Sequence, residues 1–247
     1  MRVLSIGNSF SQDAHKWLHT VAKAHGYTMD TVNLYIGGCS LERHWNNFLS
    51  GFADYDLEGN NGEVIKKISL EEALDSQVFD IVTLQQVSSL SGKPQSYFPY
   101  LTNLADLVKQ KQPDAKLYFH RTWSYEYNST HPGFETYNHD RNEMFRRLYD
   151  ASVMAAEITG ADIIPTGDII QALSEKTKEF NSKNGGISLY RDGFHLSLDY
   201  GRLVAACVWY KTLTGCDVDL QKTMSINKDF DEHLLEIILQ YIRKGEQ

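Results

Sequence analysis

The sequence predicts a three-layer α/β/α sandwich built on a parallel β-sheet, and two observations lead to this fold class. Short apolar segments alternate along the chain with longer segments whose apolar residues recur at helical spacing. The segment at residues 78–84 is almost continuously apolar, as a strand covered on both faces requires. Right-handed crossovers between parallel strands then place helices on both faces of one sheet.

The individual elements follow from spacing and from turn residues. The predicted strands occupy residues 3–6, 28–36, 78–84, 115–119 and 162–164. The predicted helices occupy residues 15–24, 97–111, 137–159, 168–181, 200–213 and 230–243. Between the second and third strands, a cluster of turn residues at 58–62 separates two strand-like segments, 54–57 and 64–68. This arrangement predicts an inserted β-hairpin.

Length and composition limit the classes of function. The chain has 247 residues, of which 42% are hydrophobic, and it shows neither a repeat nor a Pro/Ser-rich linker. We therefore expect a single domain over residues 1–247. The formal net charge of −8 would repel a phosphate backbone, so nucleic acid is not expected as a partner. No apolar stretch approaches the roughly 20 residues of a membrane-spanning helix, so no membrane is expected either.

The cysteines and the N-terminus bear on the compartment. Cys39, Cys207 and Cys216 lack paired spacing, and we interpret them as small buried side chains in a reduced compartment. Met1 and Arg2 run directly into the strand-like segment at residues 3–6, and we expect no secretory leader in this sequence. We expect a cytoplasmic protein, or a periplasmic or secreted one if a leader has been removed.

A serine follows the first predicted strand, in the segment Gly7-Asn8-Ser9-Phe10-Ser11. This position lies on the tight turn between a buried strand and a helix, where free N–H groups and the helix dipole suit a developing oxyanion. Ser9 is therefore a candidate nucleophile. Capping of the helix by Ser9 or Ser11 explains the same pattern, because serine is a preferred N-cap residue.

A candidate acid–base pair stands near the other end of the chain. Asp192 precedes His195 by three residues, on a loop that enters a helix. Its carboxylate can accept a hydrogen bond from one imidazole nitrogen, while the other nitrogen faces a serine as general base. A solvated turn capped by Asp192 is the alternative. Both this loop and the Ser9 turn follow β-segments, so they can converge at one edge of the sheet.

Two further segments follow predicted strands. Gly37 and Gly38 allow the backbone to approach a ligand closely and to present its N–H groups, although a tight turn alone also requires such residues. Gln85 and Gln86 follow the buried strand at 78–84. An amide N–H₂ aimed at an oxyanion would contribute ~3 kcal/mol to lowering the barrier. A buried amide that fixes the loop is the alternative.

Aromatic residues in the loops are candidates for substrate binding. Trp45, Trp123 and Tyr125 are expected to open toward the same edge, and the long irregular stretch 121–137 could form a lid or a substrate wall. Partial burial in the core is the alternative for each of them. Three histidines stand in the same regions of the sequence: His44, His120 and His139. They lack ligand spacing, so we expect no metal, and nothing in the sequence calls for a cofactor.

The segments around Ser9, Gly38, Gln86 and His195 are called here the first, second, third and fourth blocks. Together they resemble the SGNH (GDSL-type) hydrolase superfamily, and their residues are similar to those of its DUF4886 branch. The resemblance spans residues 6 to 197 and implies a flavodoxin-like parallel sheet. It implies Ser9 as nucleophile, His195 and Asp192 as its partners, and the backbone N–H groups of Ser9 and Gly38 as oxyanion donors. The third block departs from the superfamily's Gly-x-Asn-Asp. Gln86 could replace that asparagine as a donor, and Gln85 is almost as plausible. The first block likewise has Asn8 in place of aspartate.

The resemblance implies a metal-independent serine esterase that forms an acyl-enzyme. A small acyl ester on a carbohydrate, such as an O-acetyl group, is the expected substrate. One alternative is a lipase or thioesterase with the same triad and an apolar acyl pocket. The other is a non-catalytic glycan-binding protein of the same fold, which the altered third block favours.

Overall fold

The computed structural model describes residues 1–245 and is built around one seven-stranded sheet. The strands are β1 (Arg2–Gly7), β2 (Asp30–Tyr35), β3 (Tyr55–Glu58), β4 (Val64–Ile68), β5 (Ile81–Leu84), β6 (Lys116–His120) and β7 (Asp162–Ile164). Their order across the sheet is β4-β3-β2-β1-β5-β6-β7. The five strands from β2 to β7 in this order are parallel, whereas β3 and β4 form an antiparallel hairpin on the β2 side. The predicted parallel sheet with an inserted hairpin is confirmed.

Helices cover both faces of the sheet, which completes the three layers. They are α1 (Ser9–Ala24), α2 (Leu41–Ser50), α3 (Leu70–Asp75), α4 (Tyr100–Lys111), α5 (Arg141–Thr159), α6 (Thr166–Lys176), α7 (Tyr200–Thr214), α8 (Leu220–Met224) and α9 (Glu232–Lys244). Helices α1, α6, α7, α8 and α9 pack together on one face, and α2 to α5 pack on the other. Within residues 1–245, no helix is both long enough and apolar enough to cross a membrane.

Helix caps explain where the sequence-based boundaries were wrong. Helix α1 begins at Ser9 rather than at residue 15, because Asn8 Oδ1 accepts the Phe10 N–H at 2.9 Å and Ser11 Oγ accepts the Asn8 N–H at 3.0 Å. The sequence analysis missed α2 and α3, and also the short α8. Helix α3 has a capping box of Ser69 and Glu72, a local signal that predicts a helix start.

One prediction about the cysteines is also wrong. Cys39 and Cys207 are buried as expected, but Cys216 is exposed. It follows Gly215, whose left-handed conformation ends α7 and turns the chain along the surface.

The topology places a crevice where the chain reverses direction across the sheet. From β1 the chain first continues to β2 on one side and later reaches β5 on the other side. In open α/β sheets, the loops at such a switch point separate beyond the carboxyl ends of the strands and leave room for a ligand. The segments that follow Gly7, Tyr35 and Leu84 meet at this point.

Three buried histidines predict how the stability of the fold depends on pH. Burial, the largest cause, lowers the pKa of His15, His44 and His120 from 6.5 to about 3. Between these values the unfolded chain binds more protons than the folded chain, so the free energy of unfolding decreases as the pH falls from 6.5 toward 3. We expect urea unfolding at pH 7.5, 5.5 and 4.5 to show this decrease.

A pair of variants isolates the contribution of one imidazole. His44→Gln removes one buried titrating group, so the dependence on pH should become shallower by up to about 1.4 kcal/mol per pH unit. His233→Gln, which removes an imidazole whose side chain is 69% exposed, is the matched control. Equal slopes in the two variants would contradict the prediction.

Candidate active site

Ser9, His195 and Asp192 form a continuous chain of hydrogen bonds at the carboxyl edge of the sheet. Ser9 Oγ lies 2.9 Å from His195 Nε2, and His195 Nδ1 lies 2.7 Å from Asp192 Oδ2. When Nδ1 carries the proton that it donates to the carboxylate, Nε2 is left to accept the hydroxyl proton. The structure thus brings together three residues that the sequence analysis selected from opposite ends of the chain.

The carboxylate of this set is held in its ionised form. Partial burial alone would raise the pKa of Asp192, but hydrogen bonds from the His195 side chain and from the backbone N–H groups of His195 and Phe194 outweigh it and lower the pKa. The Asp192 side chain is 41% exposed and that of His195 is 20% exposed. The carboxylate is therefore ionised, as the partner that orients His195 Nδ1 must be, and both side chains can be reached by a substrate.

A second carboxylate, which the sequence analysis did not select, fixes the loop that carries this pair. Asp13 lies one turn along α1 from the candidate nucleophile and is fully buried. It accepts hydrogen bonds from Arg191 Nη1 at 2.9 and 3.1 Å, from Arg202 Nε at 2.8 Å and from the Leu196 N–H at 2.9 Å. Arg191 and Leu196 flank the Asp192 to His195 segment. A carboxylate on the buried face of α1 was the signal that could have identified it.

Two backbone N–H groups beside the candidate nucleophile have no hydrogen-bond partner in the described part of the chain. Within residues 1–245, neither the Ser9 N–H nor the Gly38 N–H donates a hydrogen bond, and both residues line one cavity. The Ser9 group belongs to the first turn of α1, where N–H groups are free and the helix dipole is positive. Gly38 has φ of +61°, a left-handed conformation that favours glycine. Both groups are therefore available to a ligand in this cavity.

The expectation that Gln86 faces an oxyanion is corrected by its contacts. Gln86 is 2% exposed and does not line the cavity. Its Oε1 accepts the N–H groups of Leu41 at 3.1 Å and Val87 at 2.8 Å, while its Nε2 donates to the carbonyl oxygen of Ser96 at 3.0 Å. The side chain joins the end of β5 to the start of α2, which was the structural alternative.

Gln85 is also occupied, and its partner is the asparagine of the first block. Gln85 Nε2 donates to Asn8 Oδ1 at 2.7 Å, and its Oε1 accepts from His120 Nδ1 at 2.9 Å. Asn8 Nδ2 in turn donates to the carbonyl oxygen of Cys39 at 3.0 Å. An ionised aspartate at position 8 has no proton for that bond. The asparagine therefore holds the loop after β2, and with it Gly38, against the nucleophile turn.

The cavity beside the nucleophile is small and largely apolar, with a volume of about 260 Å³. Its lining consists of Asn8, Ser9, Phe10, Tyr35, Gly37, Gly38, Val87, Ser88, His131, Phe194 and His195. The apolar side chains come from α1, from the loop after β5 and from the His195 loop. The arrangement can enclose a short acyl group next to Ser9 Oγ.

None of the three aromatic residues predicted to bind substrate lines this cavity, although Trp123 and Tyr125 contact residues that do. Trp123 and Tyr125 are completely buried. Trp123 stacks on Phe10 with ring centroids 4.3 Å apart, and the hydroxyls of Tyr125 and Ser88 are 2.9 Å apart. Trp45 is half-buried on α2 and packs in the hydrophobic cluster on that face of the sheet. Core burial, the alternative given for these residues, is what the structure shows.

His131 lines the cavity and carries a side-chain N–H there, whereas neither glutamine does. Its Nδ1 accepts the Gly133 N–H at 3.0 Å, so the proton of the neutral ring sits on Nε2. Burial, and then the nearby His195, lower the pKa of His131 and favour this neutral form. Nε2 has no partner within residues 1–245, and the residue lines the cavity. The sequence analysis covered His131 only as part of the irregular stretch 121–137 and did not select it as a donor.

The histidines considered as metal ligands have other contacts. His44 Nδ1 lies 3.0 Å from the Tyr55 hydroxyl, and His120 Nε2 lies 3.0 Å from Thr166 Oγ1. His139 is exposed. In the part of the chain that the structure describes, no group of three or more His, Cys, Asp and Glu side chains is arranged to hold a metal ion.

Comparison with known families decides where this chain belongs. The family model DUF4886, a domain of unknown function, matches residues 2–228. The chain belongs to the DUF4886 family. A crystal structure of a DUF4886 protein from Bacteroides uniformis is similar to it, with 36% sequence identity and a TM-score of 0.81. The match covers 88% of this chain and 84% of that chain. No curated protein matches the sequence.

More distant solved structures identify the fold of this DUF4886 protein. A putative SGNH hydrolase from Slackia heliotrinireducens is 21% identical with a TM-score of 0.60, covering 86% of this chain and 98% of that chain. An acetyl xylan esterase is 14% identical with a TM-score of 0.58, covering 85% of this chain and 98% of that chain. The DUF4886 protein thus has the α/β/α fold of SGNH hydrolases, as the motif resemblance implied.

Removing the Asp13 carboxylate is expected to destabilise the DUF4886 protein strongly. Asp13→Ala leaves the charges of Arg191 and Arg202 uncompensated in a largely buried position, and breaking such a pair costs about 3–5 kcal/mol. Urea unfolding should show this loss in the free energy of unfolding. Asp106→Ala, which removes an exposed carboxylate on α4, is the matched control. A loss below 1 kcal/mol in Asp13→Ala would show that the loop is held by other contacts.

Proposed function

We propose that this DUF4886 protein is a serine esterase that hydrolyses small acyl esters, with O-acetyl esters of carbohydrates as the preferred class. The observation that carries the proposal is the hydrogen-bonded order of Ser9, His195 and Asp192 beside two unpartnered backbone N–H groups. The nucleophile, base and oxyanion donors all come from the chain itself. The reaction therefore requires no metal or cofactor.

In the first half of the reaction, Ser9 Oγ attacks the ester carbonyl carbon while His195 Nε2 takes the hydroxyl proton. Asp192 stabilises the imidazolium that forms. The negative oxygen of the tetrahedral intermediate accepts hydrogen bonds from the N–H groups of Ser9 and Gly38. His131 Nε2–H takes the place of the superfamily's asparagine as the third donor. Such donors act mainly on the transition state, where the charge develops.

The second half releases the acid. His195 gives its proton to the departing alcohol oxygen, so that the C–O bond breaks and an acyl-enzyme remains on Ser9. Water then attacks the acyl carbon as His195 takes one of its protons. The tetrahedral intermediate collapses, the proton returns to Ser9 Oγ, and the carboxylic acid leaves.

Two properties of the chain support a short acyl group on a neutral alcohol. The cavity at Ser9 has a volume of about 260 Å³, which suits a small acyl group. The formal charge of −8 suits a neutral ester better than an anionic phosphoester. One protein that shares the fold is named as an acetyl xylan esterase, which is an enzyme of this substrate class.

Ser9→Ala is expected to abolish turnover of p-nitrophenyl acetate, with a loss on the order of 10⁴- to 10⁶-fold in kcat, because no other hydroxyl replaces Oγ. The wild-type protein, but not the variant, should be labelled by a fluorophosphonate probe. Ser225→Ala, at an exposed serine after α8, is the control. Equal turnover in Ser9→Ala and the wild type would refute the mechanism. Absence of labelling in the wild type would favour a glycan-binding protein without catalysis.

The apolar walls of the cavity also suit one alternative substrate class, esters with longer acyl groups. Phe10, Val87 and Phe194 would also contact the chain of a longer acyl group, as in a lipase or thioesterase. Because the cavity is small, we expect kcat/KM to fall at least tenfold from p-nitrophenyl acetate to p-nitrophenyl octanoate. A preference for the octanoyl ester would instead support the lipase or thioesterase. The Ser9→Ala protein measures the background rate for both esters.

A further inference from the structure

A second cleft, with a volume of about 450 Å³, lies directly beside the candidate triad. Asp192 and Gly193 line this cleft, whereas the next two residues, Phe194 and His195, line the acyl cavity. The loop after β6 is shared between the two spaces in the same way. Thr130 lines the cleft, and the next residue, His131, lines the acyl cavity. The two spaces therefore adjoin across the loops that carry the base and the third donor.

A buried carboxylate with one free oxygen marks the cleft as a binding site. Glu126 is 7% exposed, and its Oε1 accepts hydrogen bonds from Ser182 Oγ at 2.6 Å and Ser188 Oγ at 2.7 Å. Its backbone N–H donates to the carbonyl oxygen of Gly193 at 2.8 Å, which ties it to the loop of the triad. Oε2 has no partner within residues 1–245. This oxygen is in contact with solvent rather than sealed in the protein, so it is free to accept a hydrogen bond from a ligand in the cleft.

The surroundings of Glu126 favour a neutral polyhydroxylated ligand. Arg191 also lines the cleft, and its Nη1 binds Asp13, while its Nε and Nη2 have no partner in the described chain. The carboxylate repels an anion and the guanidinium repels a cation, so the cleft does not favour an ion of either sign. Neighbouring hydroxyl groups of a sugar can donate hydrogen bonds to the carboxylate and accept them from the guanidinium.

An exposed aromatic ring adds the flat apolar surface that a sugar ring needs. Tyr127 is 42% exposed and makes no hydrogen bond within residues 1–245. Tyr127 and Ser182 also line a neighbouring cleft of about 520 Å³. The polar space therefore extends beyond the volume next to Asp192, and a ligand of more than one sugar unit can follow it.

We propose that this cleft, lined by Glu126, Tyr127 and Arg191, binds the saccharide part of the ester, with at least two sugar units. The inference rests on the proposed esterase function in one respect, that the acyl group occupies the apolar cavity at Ser9. Recognition is then divided between an apolar space for the acid and a polar space for the alcohol, with the His195 loop between them.

The kinetic test compares two esters in the same protein: acetylated xylotetraose, which reaches the cleft, and p-nitrophenyl acetate, which does not. The measured quantity is kcat/KM for the saccharide ester divided by kcat/KM for p-nitrophenyl acetate. We expect this quotient to fall about tenfold in Tyr127→Ala and in Glu126→Gln. That change corresponds to about 1.4 kcal/mol. The effect should lie in a raised KM for the saccharide, because the contact serves binding equally in the ground and transition states.

Both variants are chosen so that folding does not decide the result. Tyr127→Ala removes an exposed ring without hydrogen bonds, and Glu126→Gln retains an oxygen that can accept from Ser182 and Ser188. Ile158→Ala is the control, because it shortens a side chain that is 50% exposed at the end of α5. Unchanged ratios in both variants, or failure of the wild type to hydrolyse the saccharide ester while it hydrolyses p-nitrophenyl acetate, would overturn the inference.

A binding measurement separates failure of this inference from failure of the esterase proposal. Titration calorimetry of unacetylated xylotetraose with the Ser9→Ala protein requires no turnover. Binding that is lost when Tyr127→Ala is added supports the cleft even if the wild type proves not to be an esterase. Absence of binding, together with normal turnover of p-nitrophenyl acetate, overturns the cleft and leaves the esterase standing.

Discussion

The buried carboxylate of Asp13 joins the two parts of the chain from which the candidate site is built. Helix α1 carries the nucleophile, and the loop before α7 carries the base, 186 residues later. A charge without exposure to solvent is costly to bury, and here two arginines and one backbone N–H compensate it. Because these donors flank the base, the same interaction that stabilises the packing of α1 against the loop also sets the distance from His195 to Ser9.

A second, uncharged network holds the remaining side of the site. His120, Gln85 and Asn8 form a line of buried hydrogen bonds from the end of β6 through β5 to the turn after β1. The line ends on the carbonyl oxygen of Cys39, next to the proposed donor Gly38. Two uncharged amides thus fix the geometry of the proposed oxyanion site on this side. In the proposed mechanism, the superfamily's third donor is supplied by a different loop, through His131.

The sequence predicted the layers of the fold and the convergence of Ser9, Asp192 and His195 at one edge of the sheet, because both depend on local patterns. Alternating periodicity fixes the strand–helix order, and residues that directly follow parallel strands must share one edge. Other features have no local pattern. Asp13 binds Arg191, 178 residues away, and neither segment contains a local sequence pattern that predicts this ion pair. Whether Trp123 or Gln86 faces a cavity or the core depends on packing between distant elements, so the substrate-binding and amide-donor predictions could not be decided in advance.

The antiparallel hairpin has a consequence for how the molecule behaves among its own copies. Strand β4 forms one open border of the sheet, where unpaired backbone groups invite another strand to add on. That border carries the exposed charges of Lys66 and Lys67, and an irregularity in register at Glu58 distorts the pairing behind it. The opposite border, β7, has only three residues. The charges on β4 and the shortness of β7 both oppose extension of the sheet by another copy, and the proposed active site at the ends of the strands lies away from both borders.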